Sequence, residues 1–234
     1  MANFVDVHRQ RVTTPGAPRW PLRWLPNRLW PGRGRAPGTR PGSAAAGERL
    51  VLRDGSAVLI RQVRPSDAPL VAAGFARLSA RSRRMRFLYG KDKLSAAELR
   101  YLTNVDHFDH EALGALDHSG GRGVGVARYV RDTADPRSAE IAVTIVDDWQ
   151  GRGLGTELLA QLSDRARQAG ICRFTATVAY GNAAMVALLQ NMGAERAGHG
   201  PGAVDYEVAL NRGGEYDLDR RFRCVEDGGL FSLR

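Results

Sequence analysis

Apolar residues recur along this chain with two periods, and the switches between them predict its elements. A short run at 57–63 reads as a strand. Arg64-Pro65-Ser66-Asp67 then opens a helix: Ser66 or Asp67 suits the cap, and Leu70, Ala73, Gly74 and Arg77 follow at helical spacing. A second helix covers 78–88. A third runs to about Thr103 from Ser95-Ala96-Ala97-Glu98, which has capping-box spacing. The segments 112–117 and 124–131 are short strands joined by a turn around Gly120, Gly121 and Gly123, the pattern of a β-hairpin. The strongest strand is 138–146 and the strongest helix 153–169. In that helix Leu154, Leu158, Leu159, Leu162 and Ala166 line one face, while Glu157, Gln161, Asp164, Arg165 and Gln168 line the other. A strand at 173–178, a helix at 182–191 and two short strands around Arg196 and Tyr206 complete the series. This order predicts an α/β fold of the α+β sandwich kind, a mixed sheet flanked by helices.

Composition changes the picture mainly at the ends. Residues 13–47 hold seven of the eleven prolines, with Gly and Arg between them and neither period, so they are expected to stay disordered. The division expected is therefore an Arg/Pro/Gly-rich arm at 1–47, a folded domain at 48–212 and an extension at 213–234. The formal charge of +9 suggests nucleic acid until it is located. Eight arginines against Asp6 give the arm +7, which leaves +2 on the rest, so no nucleic-acid partner is expected. Trp20, Trp24 and Trp30 alternate with arginines in the arm. They read as a loosely packed tail, with contact to an anionic membrane surface as the alternative. The two cysteines, Cys172 and Cys224, are too few for a disulfide framework, form no metal cluster and suit a reducing compartment. Cys172, opening a strand, reads as a core thiol. No apolar run has the roughly 20 residues of a membrane span, and the start lacks a secretory h-region, so the expected location is cytoplasmic.

The chemistry concentrates in Gln150-Gly151-Arg152-Gly153-Leu154-Gly155-Thr156, between the strongest strand and the strongest helix. Such a turn aims free backbone N–H groups at one spot, and the helix dipole adds about half a positive charge there, which suits a pyrophosphate. Arg152 adds a candidate charge-assisted contact. The dinucleotide fingerprint fails: Leu158 stands three residues beyond Gly153-x-Gly155, and Thr156 three beyond Gly151-x-Gly153. A nucleotide P-loop fails as well, since Lys91 and Lys93 are the chain's two lysines and neither lies here.

Placed there, Gln150, Gly153 and Gly155 make the chain resemble the GNAT superfamily of acyl-CoA-dependent N-acetyltransferases, whose signature is Q/R-x-x-G-x-G/A. Asn182 and Gly193, eleven residues apart, fit the family's downstream pattern. The resemblance covers about 57–210. It implies a mostly antiparallel central sheet splayed at the family's fourth and fifth strands, acetyl-CoA as co-substrate without a metal, and the diphosphate on the turn. The pantetheine arm would then pair with backbone at Ile145 and Val146. Within the superfamily the chain is similar to bacterial protein lysine acetyltransferases of the Pat kind, through 78–87, Val105-Asp106-His107 and 139–143.

Amine acetylation needs a base, because a lysine amine has a pKa of about 10.4. Glu140 lies ten residues before Gln150, where related enzymes place that base. The alternation agrees: Ile141, Val143 and Ile145 form a bulky face, while Glu140, Ala142 and Thr144 form one with room for a ligand. An oxyanion donor is expected at the Val146 N–H. Many relatives carry a tyrosine seven residues after the helix-opening Asn. Leu189 stands at that position and Tyr180 is off the spacing, so no general acid is named. Asp106, His107, Asp109 and His110 match no zinc spacing and read as a polar turn. The expected activity is acetyl transfer to a primary amine, a protein lysine or a small molecule, against the alternative of a non-catalytic acetyl-CoA-binding module.

Overall fold

A computed structural model describes residues 47–210. Residues 1–46 of the expected arm and the extension at 213–234 lie outside the described residues. The strands are β1 (Glu48–Val51), β2 (Ala57–Gln62), β3 (His110–Asp117), β4 (Gly123–Arg131), β5 (Ser138–Ile145), β6 (Arg173–Ala179), β7 (Glu195–Gly200) and β8 (Ala203–Ala209). The helices are α1 (Ala68–Ala76), α2 (Ala80–Phe87), α3 (Ala96–Thr103), α4 (Leu154–Gln168) and α5 (Ala183–Asn191). The strands form one sheet in the order β1-β2-β3-β4-β5-β6-β8-β7. Every neighbouring pair is antiparallel except β5 and β6, which are joined through α4. β1 was not legible in the sequence: it has four residues, three of them exposed, too few for a period to show.

The core follows the apolar stripe of α4. Leu154, Leu158, Leu159, Leu162 and Ala166 are all buried, and the helix packs on β3, β4 and β5. A Cβ added at Gly125 of β4 would point at Leu154 and Leu158. The next residue, Val126, faces the other way and lines a cavity with Leu70, Val71 and Phe75 of α1. The sheet is thus sandwiched between α4 and a layer containing α1.

Local chemistry sets the helix ends. Ser95 and Glu98 form the expected reciprocal capping box on α3, and Lys91 pairs with Glu98 at 2.6 Å. α2 has no fully buried residue, and its apolar contact with the core runs through Phe87, which meets Phe75 of α1 edge-on at 5.7 Å between ring centroids. α2 is also anchored by Asp147, which follows β5 and accepts from the Ser79 N–H (2.9 Å), the Ser79 Oγ (2.8 Å) and the Ser82 Oγ (2.7 Å). Asp67 does not cap α1 with its side chain. It instead receives two hydrogen bonds from Arg61, at 2.7 and 2.8 Å, and one from the Arg64 N–H. Cys172 is disulfide-bonded rather than the free core thiol its position suggests. Among the described residues no helix is long and apolar enough to cross a membrane.

Candidate active site

β5 and β6 stay in register only through Ser138–Arg173, Ala139–Phe174 and Glu140–Thr175, then part. On its other side β5 remains paired with β4 along its length. There the Val146 N–H donates to the Val124 carbonyl at 3.0 Å, and the Asp132 N–H donates to the Ser138 carbonyl at 2.8 Å. Because antiparallel partners alternate, even-numbered residues of β5 turn their backbone groups to β4 and odd-numbered ones turn theirs to the gap. This corrects the expectation for Val146, whose N–H is held in the ladder and cannot serve as an oxyanion donor. The N–H groups that face the opening are those of Val143 and Ile145, for which β6 offers no partner among the described residues.

At the C-terminal end of β5 a 3-10 turn over Asp147–Trp149 leads into the glycine-rich turn. Gly151 and Gly153 hold φ of +77° and +90°, values that strain any residue with a Cβ. The first N–H groups bonded at this end of α4 are those of Thr156 and Glu157, both to the Gly153 carbonyl. Those of Gly153, Leu154 and Gly155 precede them, at the positive end of a 15-residue helix. Gly155 has a different reason: a Cβ there would lie 3.0 Å from the Leu188 Cδ1, so glycine lets α4 approach α5. The geometry fits a diphosphate, with backbone donors converging where no side chain intrudes.

The side chains around the turn are arranged otherwise than the sequence suggested. Arg152 pairs with Asp54 at 2.9 Å, donates to the Asp148 carbonyl and stacks over Trp149, so its guanidinium is held by the β1–β2 turn. Arg53, which sequence reasoning missed, lies against Gly153, its Nε 3.4 Å from where a Cβ would stand. Gln150 donates from Nε2 to the Ile145 carbonyl at 3.0 Å, tying the turn to the strand end. Asn182 caps α5 by accepting from the Met185 N–H at 3.2 Å.

The parted strands border a groove of about 440 Å³ whose walls include Glu140, Thr144, Ile145, Gln150 and Asn182. Glu140, half-buried, thus shares one opening with three of the residues read as cofactor-binding, Ile145, Gln150 and Asn182. Arg86 of α2 also lines it. Burial brings the Arg86 pKa down to about 10, against the pull of the nearby Glu140 charge, so Arg86 remains cationic near neutrality. Deeper on the Glu140 face, Arg128 is fully buried and bonded to His110 Nε2 (3.1 Å) and the Leu102 carbonyl (3.0 Å). Desolvation, then the Arg128 charge, lowers the His110 pKa to about 3, which keeps that imidazole neutral.

The acidic and histidine cluster serves the turn before β3. Asp106 accepts from the N–H groups of Phe108, Asp109 and His110, and His107 Nδ1 lies 2.7 Å from buried Glu111. Leu189 is fully buried in the core, and the Tyr180 hydroxyl lies 3.4 Å from the Gly200 carbonyl at the surface.

A parted β5/β6 pair running from a carboxylate to a glycine-rich helix start agrees with a family model described as an acetyltransferase (GNAT) domain, which matches residues 57–195. The chain belongs to the GNAT acetyltransferase family. It is 33% identical over 157 residues to acetyltransferase Pat of Mycolicibacterium smegmatis, covering 67% of this chain and 47% of that protein. It therefore spans about half the length of that relative. Acetyltransferase PA5475 of Pseudomonas aeruginosa is 37% identical over 147 residues, 61% of this chain and 78% of that one. Among solved structures, the GNAT domain of S. lividans PAT superposes with a TM-score of 0.67 at 30% identity, covering 72% of this chain and 99% of that one. Membership gives the chain the GNAT fold.

Proposed function

We propose that this enzyme moves the acetyl group of acetyl-CoA directly onto a primary amine, with a protein lysine as the acceptor and Glu140 as the general base. One observation carries the reading: a single groove runs along Glu140 and the unpaired inner edge of β5 as far as Gln150, where the phosphate-suited turn begins. The co-substrate supplies an activated thioester, and the rest falls to the protein. Backbone N–H groups at Gly153, Leu154 and Gly155 hold the diphosphate, and the Val143 and Ile145 edge aligns the pantetheine arm. A β5 N–H facing the gap stabilises the charge that gathers on the thioester oxygen. Glu140, on the acceptor side of the strand, removes the ammonium proton directly or through a water. The amine attacks, the C–N bond forms as the C–S bond breaks, and the thiolate leaves with a proton from water. The lysine acceptor is supported by the likeness to proteins named Pat.

The test is transfer of radiolabelled acetyl groups into a cell lysate divided into protein and small-molecule fractions, with Glu140→Gln as control. Label should enter protein, and the variant should lose about 10²–10³ in kcat while acetyl-CoA KM stays within about twofold. Label confined to small molecules would move the acceptor to a metabolite amine. Unchanged turnover in the variant would remove Glu140 from the mechanism.

A further inference from the structure

A second cavity lies beside the groove, on the same face of the sheet as Glu140. Its volume is about 90 Å³, and Leu70, Val71 and Phe75 of α1, Val126 of β4 and Thr144 of β5 form much of its wall. One water needs about 10–15 Å³ on this measure, so the hollow has space for several heavy atoms in a row. It adjoins the groove, because Arg86, Phe87 and Thr144 line both. Of the charged groups at its border, Arg61 is paired with Asp67, Arg128 is bonded to His110 and the Leu102 carbonyl, and Arg86 is shared with the groove.

Gly74 is the residue that keeps it open. It lies inside α1 without a positive φ, so its backbone does not require glycine. A Cβ there would meet nothing nearer than the Gly123 carbonyl at 3.7 Å, so close approach does not require glycine either. Glycine inside a helix weakens it relative to alanine. A side chain at this position would enter the hollow.

We propose that this cavity is a binding site for acyl chains of about three to five carbons, so that the enzyme transfers groups longer than acetyl. The inference rests on the acyl-transfer reading and deepens it on the donor side. Apolar hollows lined by aliphatic side chains stay dry and take apolar guests. The carboxylate on the cavity wall, Asp67, is held by Arg61 rather than offered to a charged amine, which favours an acyl tail over an acceptor side chain as the occupant. The chemistry is unchanged: the amine nitrogen bonds the acyl carbon, the C–S bond breaks, Glu140 takes the amine proton and the CoA sulfur gains one.

Calorimetric binding of acetyl-, propionyl- and butyryl-CoA to the full chain tests this without an acceptor. Butyryl-CoA should bind about fifteenfold tighter than acetyl-CoA, at about fourfold per buried methylene. Gly74→Leu should abolish that gain and leave acetyl-CoA affinity unchanged. Gly74→Ala, which favours the helix, should abolish part of it in a securely folded protein. Equal affinities in the wild type, or equal weakening of both donors by Gly74→Leu, would overturn the proposal while acetyl-CoA binding still supports the acyl-transfer reading. Failure of every donor to bind the wild type would sink both.

Discussion

Asp67 shows how much one side chain settles near this site. Two hydrogen bonds from Arg61 hold its carboxyl below the usual carboxylate range, ahead of the opposing effect of burial. A depressed folded pKa means the contribution to stability is present above the unfolded value of about 3.9 and is lost as pH falls through the folded one. Asp67→Asn should therefore cost about 3 kcal/mol near pH 7, because it leaves a largely buried guanidinium short of its partner. Thermal melts of the two proteins should begin to converge as pH falls below about 3.9 and meet only once it has passed the depressed folded pKa of Asp67. A variant with wild-type stability at pH 7 would show the pair to be neutral to folding. The sequence marked Asp67 as a helix cap, because a residue before an apolar helical run is read by local spacing. Its partner Arg61, six positions back on β2, is set by the chain reversal. Glu140 was legible for the opposite reason: strand alternation is local, and it separates a small face from a bulky one before any folding is considered.

Helix starts divide into those that build the fold and one that also carries chemistry. Ser95 caps α3 through the box its spacing announced, and Ser95→Ala should cost about 1 kcal/mol while leaving turnover and acetyl-CoA KM unchanged. Gly153→Ala forces a Cβ at φ +90° and should cost about 1–2 kcal/mol, but it should also raise acetyl-CoA KM about tenfold. Equal KM values for the two variants would deny the turn its binding role. The glycines of this turn could be read from sequence because positive φ and phosphate approach both select the same residue type. The fate of Arg152 could not: its pairing with Asp54 depends on where the β1–β2 turn arrives, nearly a hundred residues away along the chain. The same arrival brings Arg53 to Gly153, and no local pattern announces it.

At the scale of the molecule, the decisive feature is that β5 stays paired on one side and open on the other. Hydrogen exchange should distinguish the two edges within one strand. The Val143 and Ile145 amides should exchange faster than those of Ala142 and Thr144, and adding acetyl-CoA should slow the faster pair. Uniform protection along β5 would contradict the open edge. Sequence alone determined the order of elements from β2 onward, the amphipathic face of α4, the glycine turn and the alternation that singles out Glu140. Each of these is written in spacings of two to four residues, where backbone geometry leaves few choices. Tertiary structure alone decided where β5 and β6 part, which N–H groups face the gap and which are held by β4, and which side chain meets Arg152. It also decided that a glycine in α1 would leave a hollow beside the groove. Those outcomes depend on segments far apart in the chain arriving together, and local periodicity carries no record of that meeting.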